Sequence, residues 1–186
     1  MFQHDRIRDA ISEILEAIGE NPSREGLADT PERVATMYAQ AFSGILEDPS
    51  DVLGTGFAEE YSGPVVVRDV SFYSLCEHHL LPFFGKVHIG YIPNGWIVGA
   101  SKLIRAFQVL TRRPQLQERL TKTTADVLVD GLDPMGVAVV VEAEHLCMTM
   151  RGIEKPGAKV VTSTVRGTFN NTDVSREELM ALVRGN

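Results

Sequence analysis

The chain has 186 residues, enough for one domain with a buried core. Its composition, with 44% hydrophobic and 23% charged residues, is ordinary for a globular protein. A formal net charge of −7 argues against general nucleic-acid binding, because phosphate backbones require clustered cations. The first residues lack the basic start and apolar run of a signal peptide, and no stretch approaches a membrane span. We therefore expect a cytoplasmic protein without a nucleic-acid or membrane partner.

Two amphipathic helices are predicted in the first part of the chain. From Arg6 to Glu20, apolar residues at helical spacing form one face and charged residues the other. A second helix begins at Thr30, which can cap it ahead of a proline, and stops near Gly44. Residues 45–63 have no strong period and contain three glycines, which indicates a loop. We expect a helical segment over residues 1–60 and a second domain over residues 61–186.

The pattern changes to β structure after this loop. Val65–Val70 and Lys86–Ile92 are rich in β-branched residues and predict strands. Asn94-Gly95 is typical of a tight hairpin turn, so Trp96–Val98 is expected to return antiparallel to the preceding strand. The segment Leu75–Phe84 would then connect the first two strands.

Helices and strands alternate in the rest of the chain. Ser101 is placed to cap a helix that ends before Pro114, and a further helix is predicted from about Gln115 to Val129. Strands are predicted at Gly136–Ala143, Leu146–Met150 and Val160–Arg166, and a last short helix at the Ser175/Glu178 capping box. This order predicts an α+β fold with helices packed on one face of a largely antiparallel sheet.

A thiol, a carboxylate and two imidazoles occupy consecutive positions from Cys76 to His79. In a helical turn, Cys76 and His79 at i and i+3 point to the same side. His145 and Cys147 would also project together if they lie on a strand, where i and i+2 share a face. Cys76, His79 and Cys147 are therefore candidate ligands for Zn²⁺, with a fourth position left for water. The alternatives are two buried thiols with hydrogen-bonded histidines, or a Cys76–Cys147 disulfide.

Two imidazoles of these motifs lie outside the candidate ligand set, those of His78 and His145. An imidazole that titrates near neutral pH beside a metal site is suited to carry protons to and from a substrate. Which of the two acts as acid and which as base is left open.

Cations near a helix start mark a candidate anion site. Lys102 and Arg105 lie near the start of the Ser101 helix, where they oppose the positive end of the helix dipole. A bound phosphate would explain them, and Arg151 can add a guanidinium. The alternative for each cation is solvated surface charge.

Gln117 and Glu118 lie at the start of the following helix. A glutamate there is often only a favourable partner of the helix dipole. As a functional group, its carboxylate can accept two hydrogen bonds from adjacent N–H groups of a base such as guanine.

Together these motifs resemble the zinc-dependent GTP cyclohydrolase I family over most of the chain, from Asp29 onward. They share its order and spacing in Cys76-Glu77-His78-His79, residues 82–93, Ser101-Lys102-Leu103 with Arg105, residues 115–120, His145-Leu146-Cys147-Met148 and Met150-Arg151-Gly152. The resemblance implies the tunnelling fold (T-fold), assembled into toroidal homodecamers with active sites between subunits. It also implies conversion of GTP and water into 7,8-dihydroneopterin triphosphate and formate, at the entry to folate and related pterins.

The resemblance further implies a role for each candidate residue and makes residues 61–186 the catalytic domain. By position, the implied Zn²⁺ ligands are Cys76, His79 and Cys147, and the implied proton-transfer residues are His78 and His145. The implied contacts to ribose and triphosphate are Ser101, Lys102, Arg105 and Arg151, and the implied guanine anchor is Gln117 with Glu118.

Two other functions are compatible with the same residues. A non-enzymatic, zinc-stapled domain that binds a nucleotide or a protein would need a fourth protein ligand and would unfold on chelation. A fold relative acting on another pterin or a deazapurine would use Cys76 as a nucleophile rather than a ligand.

Overall fold

The computed structural model describes residues 2–54, 56–167 and 181. They fall into two compact units that meet at Ser43 and Gly44. This junction precedes the predicted division at residues 60 and 61, because the segment after Gly44 packs with the second unit. Arg113 donates to the carbonyl oxygens of Gly44 and Glu47, at 2.8 and 2.6 Å. The predicted helix at Ser175/Glu178 lies outside the described residues.

The first unit consists of the two predicted helices. Helix α1 spans His4–Ala17 and α2 spans Thr30–Ala41. They pack against each other, with His4 Nε2 3.3 Å from the hydroxyl of Thr36. Thr30 does not cap α2 as predicted, because it is the first helical residue and Asp29 stands at the cap position without a side-chain capping bond.

The second unit contains the sheet and the remaining helices. A short 3-10 turn at Ser43–Leu46 precedes its other elements, which in chain order are β1 (Phe57–Ala58), β2 (Val65–Cys76), β3 (Pro82–Ile92), β4 (Trp96–Ile97), α3 (Ala100–Thr111), β5 (Pro114–Gln115), α4 (Gln117–Leu132), β6 (Gly136–His145), α5 (Leu146–Thr149) and β7 (Lys159–Gly167). The main sheet has the order β5-β2-β3-β6-β7. Its pairs are antiparallel except β5 with β2, which is parallel. The predicted α+β class with a largely antiparallel sheet is confirmed.

The core lies between the sheet and helices α3 and α4. Phe72 of β2 contacts Phe83 of β3 and Phe107 of α3 edge to face, with ring centroids 5.8 and 5.2 Å apart. Leu120 and Leu128 present the apolar side of α4 to the same cluster. Burial of these large side chains is the main stabilising contribution, about 1.5–3 kcal/mol for each one fully buried.

The predicted hairpin between β3 and Trp96–Val98 is wrong. Strand β4 pairs instead with β1, with Phe57 opposite Ile97. The reason is that β3 is a central strand: Tyr91 already pairs with Val65 of β2 on one side and with Val137 of β6 on the other. No β3 edge is left for the returning chain.

The predicted strand at Leu146–Met150 is also wrong, because this segment forms the short helix α5. Strand β6 ends where its partner begins: His145 pairs with Phe83, next to the first residue of β3. The chain beyond His145 has almost no β3 backbone left to pair with and turns into a helix. The prediction also missed β5, since the helix expected from Gln115 begins at Gln117.

Helix α3 begins one residue before the predicted cap, Ser101. Gly99 stands at the cap position in an extended conformation, without a side-chain capping bond. Among the helices described, none is both long enough and apolar enough to cross a membrane.

Candidate active site

The turn between β2 and β3 carries the Cys76–His79 motif. Cys76 is the last residue of β2, and its carbonyl oxygen accepts the amide N–H of Leu80 at 2.8 Å. Its own N–H donates to the carbonyl of Leu81 at 2.9 Å. The next amide, of Glu77, donates to the carbonyl of Gln115 in β5 at 2.9 Å. The turn is therefore held both internally and by the neighbouring strand, which fixes Cys76 and His79 on one side of it.

The register of β3 and β6 brings the second motif to this turn. His145 is the last residue of β6 and lies opposite Phe83, at the beginning of β3. Cys147 follows in α5 rather than on a strand. The sulfur atoms of Cys76 and Cys147 and one ring nitrogen of His79 lie within 4.8 Å of one another. The predicted grouping of these three residues is confirmed, although Cys147 reaches it from a helix.

The chemistry of these three donors fits a metal ion. Both cysteines are free thiols, so the Cys76–Cys147 disulfide is not formed. Burial, followed by the proximity of Cys76, raises the pKa of the Cys147 thiol. A cation between the two sulfurs offsets both effects, because it favours the thiolate form. Two thiolates and an imidazole form a soft donor set of the kind that divalent zinc prefers.

His145 is a buried imidazole held on two sides. Its ring stacks on Phe83, with centroids 4.6 Å apart and an interplanar angle of 5°. Its Nε2 lies 2.8 Å from the side-chain oxygen of Gln117. Burial lowers the pKa of His145, and the charge of Glu118 opposes this effect. The ring is therefore neutral at neutral pH and able to accept a proton.

His78 is exposed and lies outside the three-residue cluster. Its ring is perpendicular to that of His79, with centroids 6.3 Å apart. The imidazole is therefore accessible from solvent beside the His79 ring.

The structure brings one of the predicted cations to the cluster. Arg151 Nη1 lies 3.1 Å from His79 Nε2. In residues 2–54 and 56–167, no hydrogen bond or ion pair joins Ser101, Lys102 or Arg105 to the cluster. Ser101 and Arg105 are exposed and Lys102 is half-buried near the start of α3.

Gln117 and Glu118 differ in exposure although they are adjacent. Gln117 is only 1% exposed, and its amide nitrogen and oxygen are both engaged by protein groups. Glu118 is exposed, and its charge acts on His145. Within residues 2–54 and 56–167, no side chain pairs with the Glu118 carboxylate, so this carboxylate could accept hydrogen bonds from guanine. Gln117 could contact guanine only through its main chain, because its side chain is already engaged.

Arg119 is a site residue that the sequence interpretation did not single out. Its guanidinium pairs with Glu77 in the ligand-bearing turn and donates to Gln115 Oε1 at 3.2 Å and to the carbonyl of Pro114 at 3.3 Å. It thus ties the turn to β5 and α4. The i, i+4 spacing of Gln115 and Arg119 on a predicted helix was the available signal.

Comparisons with known proteins agree with the geometry. The family model described as GTP cyclohydrolase I matches residues 7–184. A protein of Halalkalibacterium halodurans named GTP cyclohydrolase 1 is 57% identical over 183 residues, covering 98% of this chain and 97% of that protein. Its namesake in Bacillus subtilis is 55% identical over 181 residues, covering 97% of this chain and 95% of that protein.

One solved structure, the apo form of an archaeosine synthase QueF-Like, covers 56% of this chain and 94% of that chain, with 20% identity and a TM-score of 0.42. A likeness at this level does not establish the fold.

Proposed function

Because this chain belongs to the GTP cyclohydrolase I family, we propose that it uses a zinc ion held by Cys76, His79 and Cys147. Enzymes of this family hydrolyse and rearrange GTP to 7,8-dihydroneopterin triphosphate and formate. This is the first step of pterin and folate synthesis. The observation that carries the zinc proposal is the convergence of the three donor atoms within 4.8 Å. When bound, zinc supplies Lewis-acid activation of water for attack on the purine ring.

The imidazoles of His78 and His145 supply the proton transfers. His145 is neutral and lies two residues before Cys147 in the chain, so it can take up a proton and return it to the substrate. His78 is accessible from solvent and can serve a second proton transfer. Opening of the purine ring, rearrangement of the ribose and closure of the new ring each require protons to be added and removed. Two separate proton-transfer residues, His78 and His145, match this requirement for repeated proton transfer.

The substrate is positioned by charge at its two ends. Arg151, beside His79, binds the triphosphate together with Lys102 and Arg105, and Ser101 contacts the ribose or phosphate. Glu118 accepts two hydrogen bonds from guanine, next to the Gln117 main chain. Holding the base over the cluster in this way can supply a large part of the rate enhancement.

Glu118→Gln is expected to raise the KM for GTP roughly 10- to 150-fold, because hydrogen bonds to a charged group contribute about 1.5–3 kcal/mol. The effect is read most clearly with inosine triphosphate, which lacks the exocyclic amine. The variant should discriminate less between the two nucleotides than the wild type does. Asp130→Asn, the same charge change on an exposed residue near the other end of α4, is the control. An unchanged KM in Glu118→Gln would contradict the guanine contact.

We propose the T-fold and a homodecamer for the assembled protein, with active sites between subunits. The exposure of Ser101 and Arg105 supports this proposal, because side chains contributed at a subunit boundary need not reach the cluster within one chain. A mass of a single chain by light scattering would refute the homodecamer. The free thiols support the predicted cytoplasmic location, since thiols persist in reducing compartments.

A further inference from the structure

The orientation of the Gln117 side-chain amide is fixed by the groups around it. Its nitrogen lies 3.1 Å from the carbonyl oxygen of Val141 and 2.9 Å from that of Val160. Carbonyl oxygens only accept hydrogen bonds, so both require the N–H side of the amide. The reversed amide would place three oxygens together in a buried site. The amide oxygen therefore faces His145.

A pair of threonine hydroxyls supports the same orientation. Thr121 donates to the main-chain carbonyl of Gln117 at 2.8 Å. Its hydrogen is thereby used, so in the 2.6 Å contact between the two hydroxyls Thr162 is the donor. The Thr162 oxygen can then only accept in its 3.2 Å contact with the amide nitrogen of Gln117. Among the residues that the structure describes, every contact of this nitrogen is thus made to an acceptor.

This orientation determines which nitrogen of His145 carries the proton. The Gln117 oxygen, 2.8 Å from Nε2, has no hydrogen to give, so Nε2 must donate. In a neutral imidazole the lone pair is then on Nδ1. Stacking on Phe83 fixes the ring plane. The contact with Gln117 also survives protonation of Nδ1, because the imidazolium still donates through Nε2.

We propose that Gln117 is a positioning residue whose side-chain oxygen holds His145 in the Nε2–H tautomer, so that proton exchange with the substrate takes place at Nδ1. The inference rests on the proposed role of His145 in proton transfer. Gln117 itself needs no side-chain contact with the substrate, and any contact it makes to guanine comes from its main chain. Val141, Val160 and Thr162 belong to β6 and β7, so the sheet itself sets the tautomer.

The tautomer is measured directly by solid-state NMR of the zinc-loaded, full-length protein with ¹³C,¹⁵N-labelled histidine, at a pH above neutrality. His145→Asn assigns the signals. We expect a protonated Nε2 and an unprotonated Nδ1 in the wild type. In Gln117→Met, which keeps the side-chain length and removes the acceptor, both tautomers should appear. A wild-type signal from protonated Nδ1 overturns the proposal.

Kinetics test whether the tautomer matters for turnover. Gln117→Met should lower kcat for GTP about 10- to 100-fold, the usual cost of losing an orienting partner, with KM and zinc content nearly unchanged. Thr124→Val, which removes another buried hydroxyl of α4 that donates to Leu120, is the matched control and should retain kcat. An unchanged kcat, or a rise in KM alone, contradicts the positioning role.

Two further outcomes must be distinguished: misfolding of the variant, and failure of the proposed function. If Gln117→Met does not fold, Thr162→Val is tested instead, because this substitution removes one of the acceptors that orient the Gln117 amide. We expect a smaller fall in kcat for Thr162→Val. An unchanged kcat in that variant contradicts the proposal. If the wild type shows the expected tautomer but does not convert GTP, the proposed function fails while the tautomer assignment stands.

Discussion

Cys147→Ser is expected to lose the metal and nearly all turnover while keeping its fold. Serine preserves the shape of the side chain but replaces a soft thiolate with a hydroxyl that binds zinc poorly. Cys147 lies half-buried on the short helix α5, at the margin of the core, so the substitution costs little packing. We expect about one zinc per chain in the wild type, far less in the variant, and a fall in kcat of roughly a thousandfold or more because water is no longer activated.

Elemental analysis measures the zinc content of the variant, and circular dichroism measures whether its fold is retained. Met148→Leu, on the same helix, is the control and should keep both zinc and turnover. Full zinc occupancy in Cys147→Ser would contradict the ligand assignment. Unfolding on loss of zinc would instead favour the rival function of a zinc-stapled binding domain.

His78→Ala is expected to keep both zinc and fold and to lose turnover by about 10²- to 10⁴-fold, the usual contribution of a positioned acid or base. The side chain is exposed and lies outside the donor cluster, so its removal leaves the core and the metal ligands unchanged. Zinc content, thermal unfolding and kcat are measured on the same preparation.

His4→Ala, a histidine of the first unit, is the control for this substitution and should leave kcat unchanged. Loss of zinc from His78→Ala would mean that the division between ligands and proton carriers is wrong. A normal kcat with normal zinc content would remove His78 from the mechanism.

Sequence spacing correctly predicted the pairing of Cys76 with His79, because both residues lie in one turn. The i, i+3 spacing of Cys76 and His79 was sufficient because a single turn, closed by the Leu80 N–H, sets their relation. Cys147 was correctly grouped with them, but the reason was wrong: the prediction placed it on a strand, whereas it lies on helix α5. Its true placement depends on the pairing of Phe83 with His145, which couples residues far apart in the chain.

The remaining features depend on tertiary pairing that no local pattern contains. A hairpin signal at Asn94-Gly95 cannot reveal that both edges of β3 are occupied by β2 and β6. The orientation of Gln117 likewise depends on carbonyls from β6 and β7, 24 and 43 residues away in the chain. Sequence indicated that Gln117 belongs to the site, and only the fold indicates that its side chain serves His145.

We propose that this chain converts GTP with a metal held by Cys76, His79 and Cys147. The most direct measurement incubates purified protein with GTP, with and without a zinc chelator, and assays formate together with the fluorescence of the oxidised pterin. We expect equal amounts of formate and pterin, both abolished by the chelator and restored by added zinc. If folded, zinc-loaded protein formed neither product, this chain would not be the proposed enzyme. If both products formed at full rate after the metal is removed, the metal would have no part in the reaction.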